Sequence, residues 1–170
     1  INGVTWASRN VNSVGEFAKT AEDAGMLYQW NRKIAWEASG NVSNWNAETP
    51  SGSTWEREND PSPKGWRIPT RAEIQSLLDT TKVTCKVVVQ NNVKGNLFTD
   101  KNSKQSIFMP FAGYRYFTNG KLYYNSTLGM YWINTHEKAD GSLALYSNVA
   151  GNNLNGSRRN FAYSIRAVAE

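Results

Sequence analysis

The stretch Pro69-Thr70-Arg71-Ala72-Glu73-Ile74-Gln75-Ser76-Leu77-Leu78-Asp79 divides the chain into two unlike halves. Thr70 stands where a helix cap belongs, and Glu73, three residues on, reaches back to the cap amide, the pairing of a capping box. Ile74, Leu77 and Leu78 fall at i, i+3 and i+4, so a helix over Arg71 to Asp79 carries one apolar stripe to bury. Downstream the pattern turns to period two or to β-branched runs. Val83 to Gln90, Ser106 to Met109, Tyr114 to Phe117, Lys121 to Tyr124, Met130 to Ile133, Leu143 to Tyr146 and Tyr163 to Val168 read as short strands. Asn119-Gly120 sits between two aromatic runs and predicts a tight hairpin, because both residues tolerate positive φ. Strands joined directly by turns imply antiparallel pairing. The class is therefore α+β: mostly short antiparallel strands, one or two helices and long loops.

Upstream of the helix, residues 1 to 60 mix short apolar pieces with polar loop. The run Ser39 to Trp55 has no period, and Trp30, Trp36, Trp45 and Trp55 are expected to pin such irregular backbone to the core. The 170 residues suit one domain, taken as 1–170, and 39% hydrophobic residues with seven Trp and eight Tyr exclude an intrinsically disordered chain. No stretch approaches the roughly 18 apolar residues of a spanning helix. The start at Ile1, without an initiator Met or signal-like segment, is read as the mature or C-terminal part of a longer exported protein, with any signal or lipid anchor upstream. Cys85 is the lone cysteine, so a disulfide framework or thiolate metal cluster has no partners within the chain. Net charge is +5, but the cations are scattered, which argues against a nucleic-acid groove.

Several segments together resemble a known family. They are Asn2 to Asn10 (NGVTWASRN), Gly25 to Trp30 (GMLYQW), Asp60 to Glu73 (DPSPKGWRIPTRAE), Phe108 to Arg115 (FMPFAGYR), Gly129 to Trp132 (GMYW) and Ser164 to Val168 (SIRAV). In order along nearly the whole chain, they resemble the Fibrobacter succinogenes major paralogous domain family, bacterial surface domains whose fold is similar to C-type lectins. The resemblance implies a C-type-lectin-like fold in which the N- and C-terminal strands pair and long loops present a binding surface. The family pattern usually has Cys at the positions of Ser62 and Ala167, so their joint absence fits a lost disulfide worth about 2 to 4 kcal/mol. A second likeness concerns Asn148 to Tyr163, dense in Asn, Gly, Ser and Arg. This run resembles the variable region of proteins diversified by retroelements, which use the same scaffold. Tyr and Asn suit a paratope. A plain polar loop rich in turn-forming Asn and Gly accounts for the composition equally well.

The chain offers little that converges on catalysis. His136 is the lone histidine, in the polar run Asn134 to Lys138, where a solvated side chain is the ordinary outcome and a catalytic zinc lacks its ligands. Cys85 alternates with Val83 and Val87 and reads as a buried, inert thiol, not a nucleophile paired with His136. Formylglycine-generating and related oxidising enzymes share the fold type, yet their active-site cysteines or iron-binding histidines have no counterparts here. Glu37, Glu48, Glu56, Glu58 and Asp60 have no spacing distinctive of a hydrolase pair. Asp100, Glu137 and Asp140 do not form an oxygen-rich calcium loop, and Tyr131-Trp132-Ile133-Asn134 only echoes the Trp-Asn-Asp of calcium-dependent sugar binders. Arg67, Arg115 and Arg166 flank apolar positions and are expected to be buried or half-buried, bonded to carboxylates or loop carbonyls.

The expected function is non-catalytic ligand binding or adhesion at a bacterial cell surface or outer membrane, through C-terminal loops. The candidate ligand-binding residues are Tyr131, Asn134, His136, Tyr146, Asn148, Asn152, Asn153, Asn155, Arg158, Asn160 and Phe161. No catalytic residue, metal or cofactor is assigned. The expected partner is a protein or glycan, not nucleic acid, and the expected state is a monomer. The alternative is a structural module of a pilus tip or envelope assembly whose exposed strands pair with a neighbour.

Overall fold

The computed structural model describes residues 1–135 and 141–170. Its elements in chain order are β1 (Met26–Gln29), β2 (Ala35–Glu37), a 3-10 turn (Arg57–Asn59), β3 (Trp66–Arg67), α1 (Arg71–Leu77), β4 (Val83–Gln90), β5 (Val93–Asp100), β6 (Ser106–Pro110), β7 (Tyr114–Arg115), β8 (Leu122–Tyr123), β9 (Leu128–Trp132), β10 (Gly141–Asn148), β11 (Gly151–Arg158), β12 (Ala162–Tyr163) and β13 (Val168–Ala169). The class is mostly antiparallel sheet with one α-helix among the described residues.

The capping box forms as the spacing predicts. Thr70 Oγ1 accepts from the Glu73 amide, and the Glu73 carboxylate accepts from the Thr70 amide at 2.7 Å. Arg67 then donates to both Glu73 oxygens, at 2.9 and 2.7 Å, fastening β3 to the helix start. Ile74 and Leu77 enter a core with Trp6, Phe98, Ile107, Leu143 and Leu145.

Four sheets enclose three clusters of buried apolar side chains. Their orders are β2-β1-β12-β7-β8, β11-β10-β9, β4-β5-β6 and β13-β3. Parallel bridges from Tyr131 to Ser164 and from Gly113 to Gly129 run the second sheet into the first, so the sheet curls. The two ends of the described chain pair: the Ala7 and Val11 amides donate to the Ala167 and Ile165 carbonyls, and the Ala169 amide donates to Thr5.

Three expectations are corrected. The Asn-rich run is not a loop: β11 pairs with β10 at eight positions, because the core strand carrying Leu143 and Leu145 supplies a backbone partner that a polar sequence accepts as well as an apolar one. Cys85 is not buried, because β4 is an edge strand that runs past the core, leaving Cys85, Val87 and Val89 exposed. The Asn119-Gly120 connection is not a two-residue turn. The loop runs from Tyr116 to Lys121, closed by hydrogen bonds between those two residues and from Gly120 to Tyr116.

Strand β5 also escapes sequence reading, since Lys94-Gly95-Asn96 interrupts the apolar alternation. Gly95 is required by packing: a Cβ there would meet the Met109 carbonyl oxygen at 2.4 Å.

Arg166 is fully buried and donates to the Asn10 side chain at 2.9 Å, the Ala7 carbonyl at 3.1 Å and the Phe108 carbonyl at 2.8 Å. Replacing it with Met strands these acceptors inside the protein. Arg166→Met is expected to lower the urea unfolding free energy by about 3 kcal/mol, and Arg166→Lys by somewhat less, since one ammonium does not span all three. An unchanged midpoint for either would refute the assignment.

Asp100 accepts backbone hydrogen bonds from Asn2, Ser103 and Asn102, which hold its carboxyl down at about 2. The folded state therefore favours the ionised form. That contribution is complete above the ordinary carboxylate range and is lost as pH falls through about 2. Urea titrations stepped downward from pH 5 are expected to show this loss, and Asp100→Asn to flatten it.

Candidate binding face

The β7–β8 hairpin carries Tyr114, Tyr116, Phe117, Tyr123 and Tyr124, and the turn into β12 adds Phe161. These rings form one cluster. Tyr114 meets Tyr123 at 6.2 Å, Tyr124 at 5.8 Å and Phe161 at 5.3 Å, while Tyr116 and Phe117 close on Phe161 at 5.5 and 5.1 Å. Edge-to-face contacts dominate on Phe161, the geometry that ring quadrupoles favour. Tyr163 lies beneath at 5.7 Å from Phe161. Tyr123 and Tyr124 are exposed, by 37% and 61%, while Tyr114, Tyr116, Phe117 and Phe161 are half-buried behind them.

Two cations border it. The Arg158 guanidinium sits 4.7 Å from the Phe117 ring centre and the Lys121 ammonium 5.7 Å from that of Tyr123. Ion pairs among the described residues join Arg57 to Asp60 and Glu170, and Arg67 to Glu73, so both cations remain unneutralised there.

The loop after β2 holds this face from behind. Buried Arg115 donates to the carbonyls of Glu37 at 2.7 Å, Ser39 at 2.8 Å, Gly40 at 3.2 Å and Gly120 at 2.7 Å. Burial pushes its pKa down, countered by Glu37. The Trp45 indole donates to the Phe117 carbonyl at 2.9 Å. Gly120, at φ +66°, lies so close to Trp45 that a Cβ would stand 2.7 Å from the ring. Burial also raises the Tyr114 and Tyr163 hydroxyls, Tyr163 well above the ordinary tyrosine range, so they act as neutral groups.

The sequence-expected residues divide. Tyr146 lies opposite Asn153 across β10–β11, so Tyr146, Asn153 and Asn155 share a sheet face, and Tyr146 packs in the same core as Tyr114, Phe161 and Tyr163. Asn153 and Asn155 are exposed, with Asn155 Nδ2 donating to Asn153 Oδ1 at 2.7 Å. Arg158 and Phe161 belong to the aromatic cluster. Asn152 points to the other face, where its side chain bonds Ser147, Asn96 and, at 3.3 Å, the Cys85 sulfur. Asn148 closes the β10–β11 turn by accepting from the Ala150 amide, and Asn134 tethers Trp55 and Pro69 through its backbone.

Two of the expected contacts face inward. Tyr131 is 1% exposed, donates to the Pro110 carbonyl and has its pKa pushed up to about 12 by burial. Asn160 is buried and donates to the Ala47 carbonyl at 2.8 Å. Both hold the framework because β9 and the β11–β12 turn run through the interior. His136 lies outside the described residues.

Sequence reasoning missed Tyr114, Tyr116, Phe117, Lys121, Tyr123 and Tyr124. The available signal was the density of aromatics on both sides of Asn119-Gly120.

A cavity of about 800 Å³ lined by Ile1 to Thr5, Lys82 and Asp100 to Ser103 shares no residue with this face. No group of three or more His, Cys, Asp or Glu among the described residues is placed to hold a metal ion. Partial desolvation against the neighbouring side chains raises the Cys85 thiol although the residue is exposed, the opposite of nucleophile activation, with the Asn152 hydrogen bond working against that rise. Comparison with family models, with curated proteins and with solved structures found no match.

The surface and framework members are separable by stability. Tyr124→Ala and Arg158→Ala are expected to shift the unfolding free energy by less than about 1 kcal/mol, whereas Asn160→Ala and Tyr131→Phe, which remove the hydrogen bonds that these buried side chains donate to the Ala47 and Pro110 carbonyls, cost about 1 to 2 kcal/mol. Equal costs for both pairs in denaturant titrations would contradict this division.

Proposed function

We propose that the chain is a non-catalytic binding domain of a bacterial cell-surface protein, built on the C-type-lectin-like scaffold that its sequence resembles. The observation that carries this reading is the exposed aromatic face of the β7–β8 hairpin, bordered by Arg158 and Lys121 and extended by the amides of Asn153 and Asn155. A contiguous exposed aromatic patch is unusual on a folded surface and serves recognition. The rings supply contact area at small entropy cost, the amides direct hydrogen bonds, and the two cations select an electron-rich partner, a protein or a glycan. In this reading the Asn-rich strand β11 is the segment a retroelement would diversify, since its outward side chains change without altering the backbone pairing to β10. Export and outer-membrane anchoring through an upstream segment belong to the same proposal.

The test is adhesion of the labelled chain to panels of bacterial and animal cells, untreated, protease-treated or periodate-oxidised. Binding is expected, with loss after protease marking a protein ligand and loss after periodate a glycan. The triple variant Tyr123→Ala, Tyr124→Ala, Arg158→Ala is expected to weaken it by about tenfold or more. Undiminished binding by a folded triple variant, or turnover of a glycan, would overturn the proposal.

One observation favours the assembly-module reading, the free edge of β4.

A further inference from the structure

Strand β4 is the outer strand of the β4-β5-β6 sheet, eight residues long and in unbroken register with β5 from Val83 to Gln90. Edges of this length are ordinarily shortened, bulged, covered or broken by proline, because their free N–H and C=O groups recruit other strands. β4 has none of these protections, and its one charge is Lys86.

The hairpin geometry fixes which groups are free. Asn91 and Asn92, at φ +46° and +65°, form a two-residue turn, which makes Gln90 and Val93 a hydrogen-bonded pair. By alternation Gln90, Val88, Lys86 and Thr84 bond β5, while Cys85, Val87 and Val89 aim their backbone groups outward. The side chains of those same outward residues are exposed, Val87 by 40% and Val89 by 67%. The unpaired backbone and the exposed apolar side chains thus belong to the same three residues.

We propose that this edge pairs with β4 of a second copy of the chain, antiparallel across a two-fold axis through Val87. The register follows from the residues. Centred on Val87, it sets Val87 against Val87 and Cys85 against Val89 of the second copy, joining the exposed apolar side chains on one face. On the other face Lys86 lies opposite Val88 and diagonal to both Gln90 and Lys86 of the second copy, so that each ammonium has a counter-charge to seek away from the axis. Gln90 and Asn91 both donate to the carboxylate of Glu22, which has no ion pair among the described residues. The two-fold therefore brings each Lys86 toward the other copy's Glu22. That charge match, repeated twice, selects a second copy over an unrelated strand. It also closes the assembly as a pair, in contrast to the monomer expected from sequence. One strand pair makes a small interface, so the dimer is concentration-dependent. The inference does not rest on the aromatic face.

The test is sedimentation equilibrium of the wild-type chain from about 1 µM to about 1 mM, the range of weak interfaces. The average mass is expected to rise from 19.1 kDa toward twice that value. Val87→Pro removes an outward N–H without touching the β5 ladder, and is expected to raise the dissociation constant by more than about tenfold while circular dichroism stays unchanged. Lys86→Glu is expected to weaken the pair, and adding Glu22→Lys to restore it. Val89→Cys places its thiol about 5.5 Å by Cα from Cys85 of the second copy, within disulfide range, so mild oxidation is expected to give a covalent dimer, whereas Val88→Cys gives none. A monomeric mass throughout the range, undiminished dimerisation of folded Val87→Pro, or cross-linking through Val88→Cys in place of Val89→Cys would each overturn the proposal.

Discussion

The interior guanidinium of Arg166 is the constraint on which the remaining structure depends. It is fully buried with no carboxylate partner among the described residues, and its hydrogen bonds go to Ala7 and Asn10 in the N-terminal segment and to Phe108 in β6, two stretches far apart in sequence. Burial lowers its pKa to about 10, with the nearby Tyr131 hydroxyl acting in the other direction. An ion held in this way is expensive unless every donor is used. The expense is offset by what it fixes. The N-terminal segment has few ladder hydrogen bonds of its own, and from the C-terminal stretch the guanidinium satisfies the Ala7 carbonyl together with that of Phe108 in β6.

Arg115 repeats this device beneath the aromatic face, donating to four carbonyls of the loop after β2 and the β7–β8 turn. A chain with short strands and long loops needs such donors, because irregular backbone cannot satisfy itself when buried. The Trp side chains serve the same end by area: Trp30, Trp36 and Trp55 are buried, and Trp45 ties the loop to Phe117. The binding proposal follows from that rigidity, since a hairpin fastened from behind presents its rings without losing much entropy on contact.

Asparagines of β11 show how position decides the role of one residue type. Asn153 and Asn155 face solvent beside Tyr146, while Asn152, one residue away, turns inward to Ser147, Asn96 and Cys85. Period two in a strand makes neighbours opposites. A loop reading has no such rule, and so treats all of them as equivalent.

The helix and its cap were legible from sequence because capping is local: Thr70 and Glu73 meet within one turn whatever the rest of the chain does. Val83 to Gln90 was legible as a strand for the same reason, a run of β-branched residues with strong local preference. The burial of Arg115 and Arg166 and the half-burial of Arg67 were also foreseeable from their apolar flanks, though not which carbonyls or carboxylate they would reach. Local pattern does not carry partners. Whether β4 lies at an edge, whether a polar run such as Gly151 to Arg158 finds a strand to pair with, and whether Tyr131 or Tyr124 reaches solvent depend on contacts between residues remote in sequence. Only the folded chain sets those contacts, because hydrogen bonding and burial there are shared among segments that no window of sequence contains together.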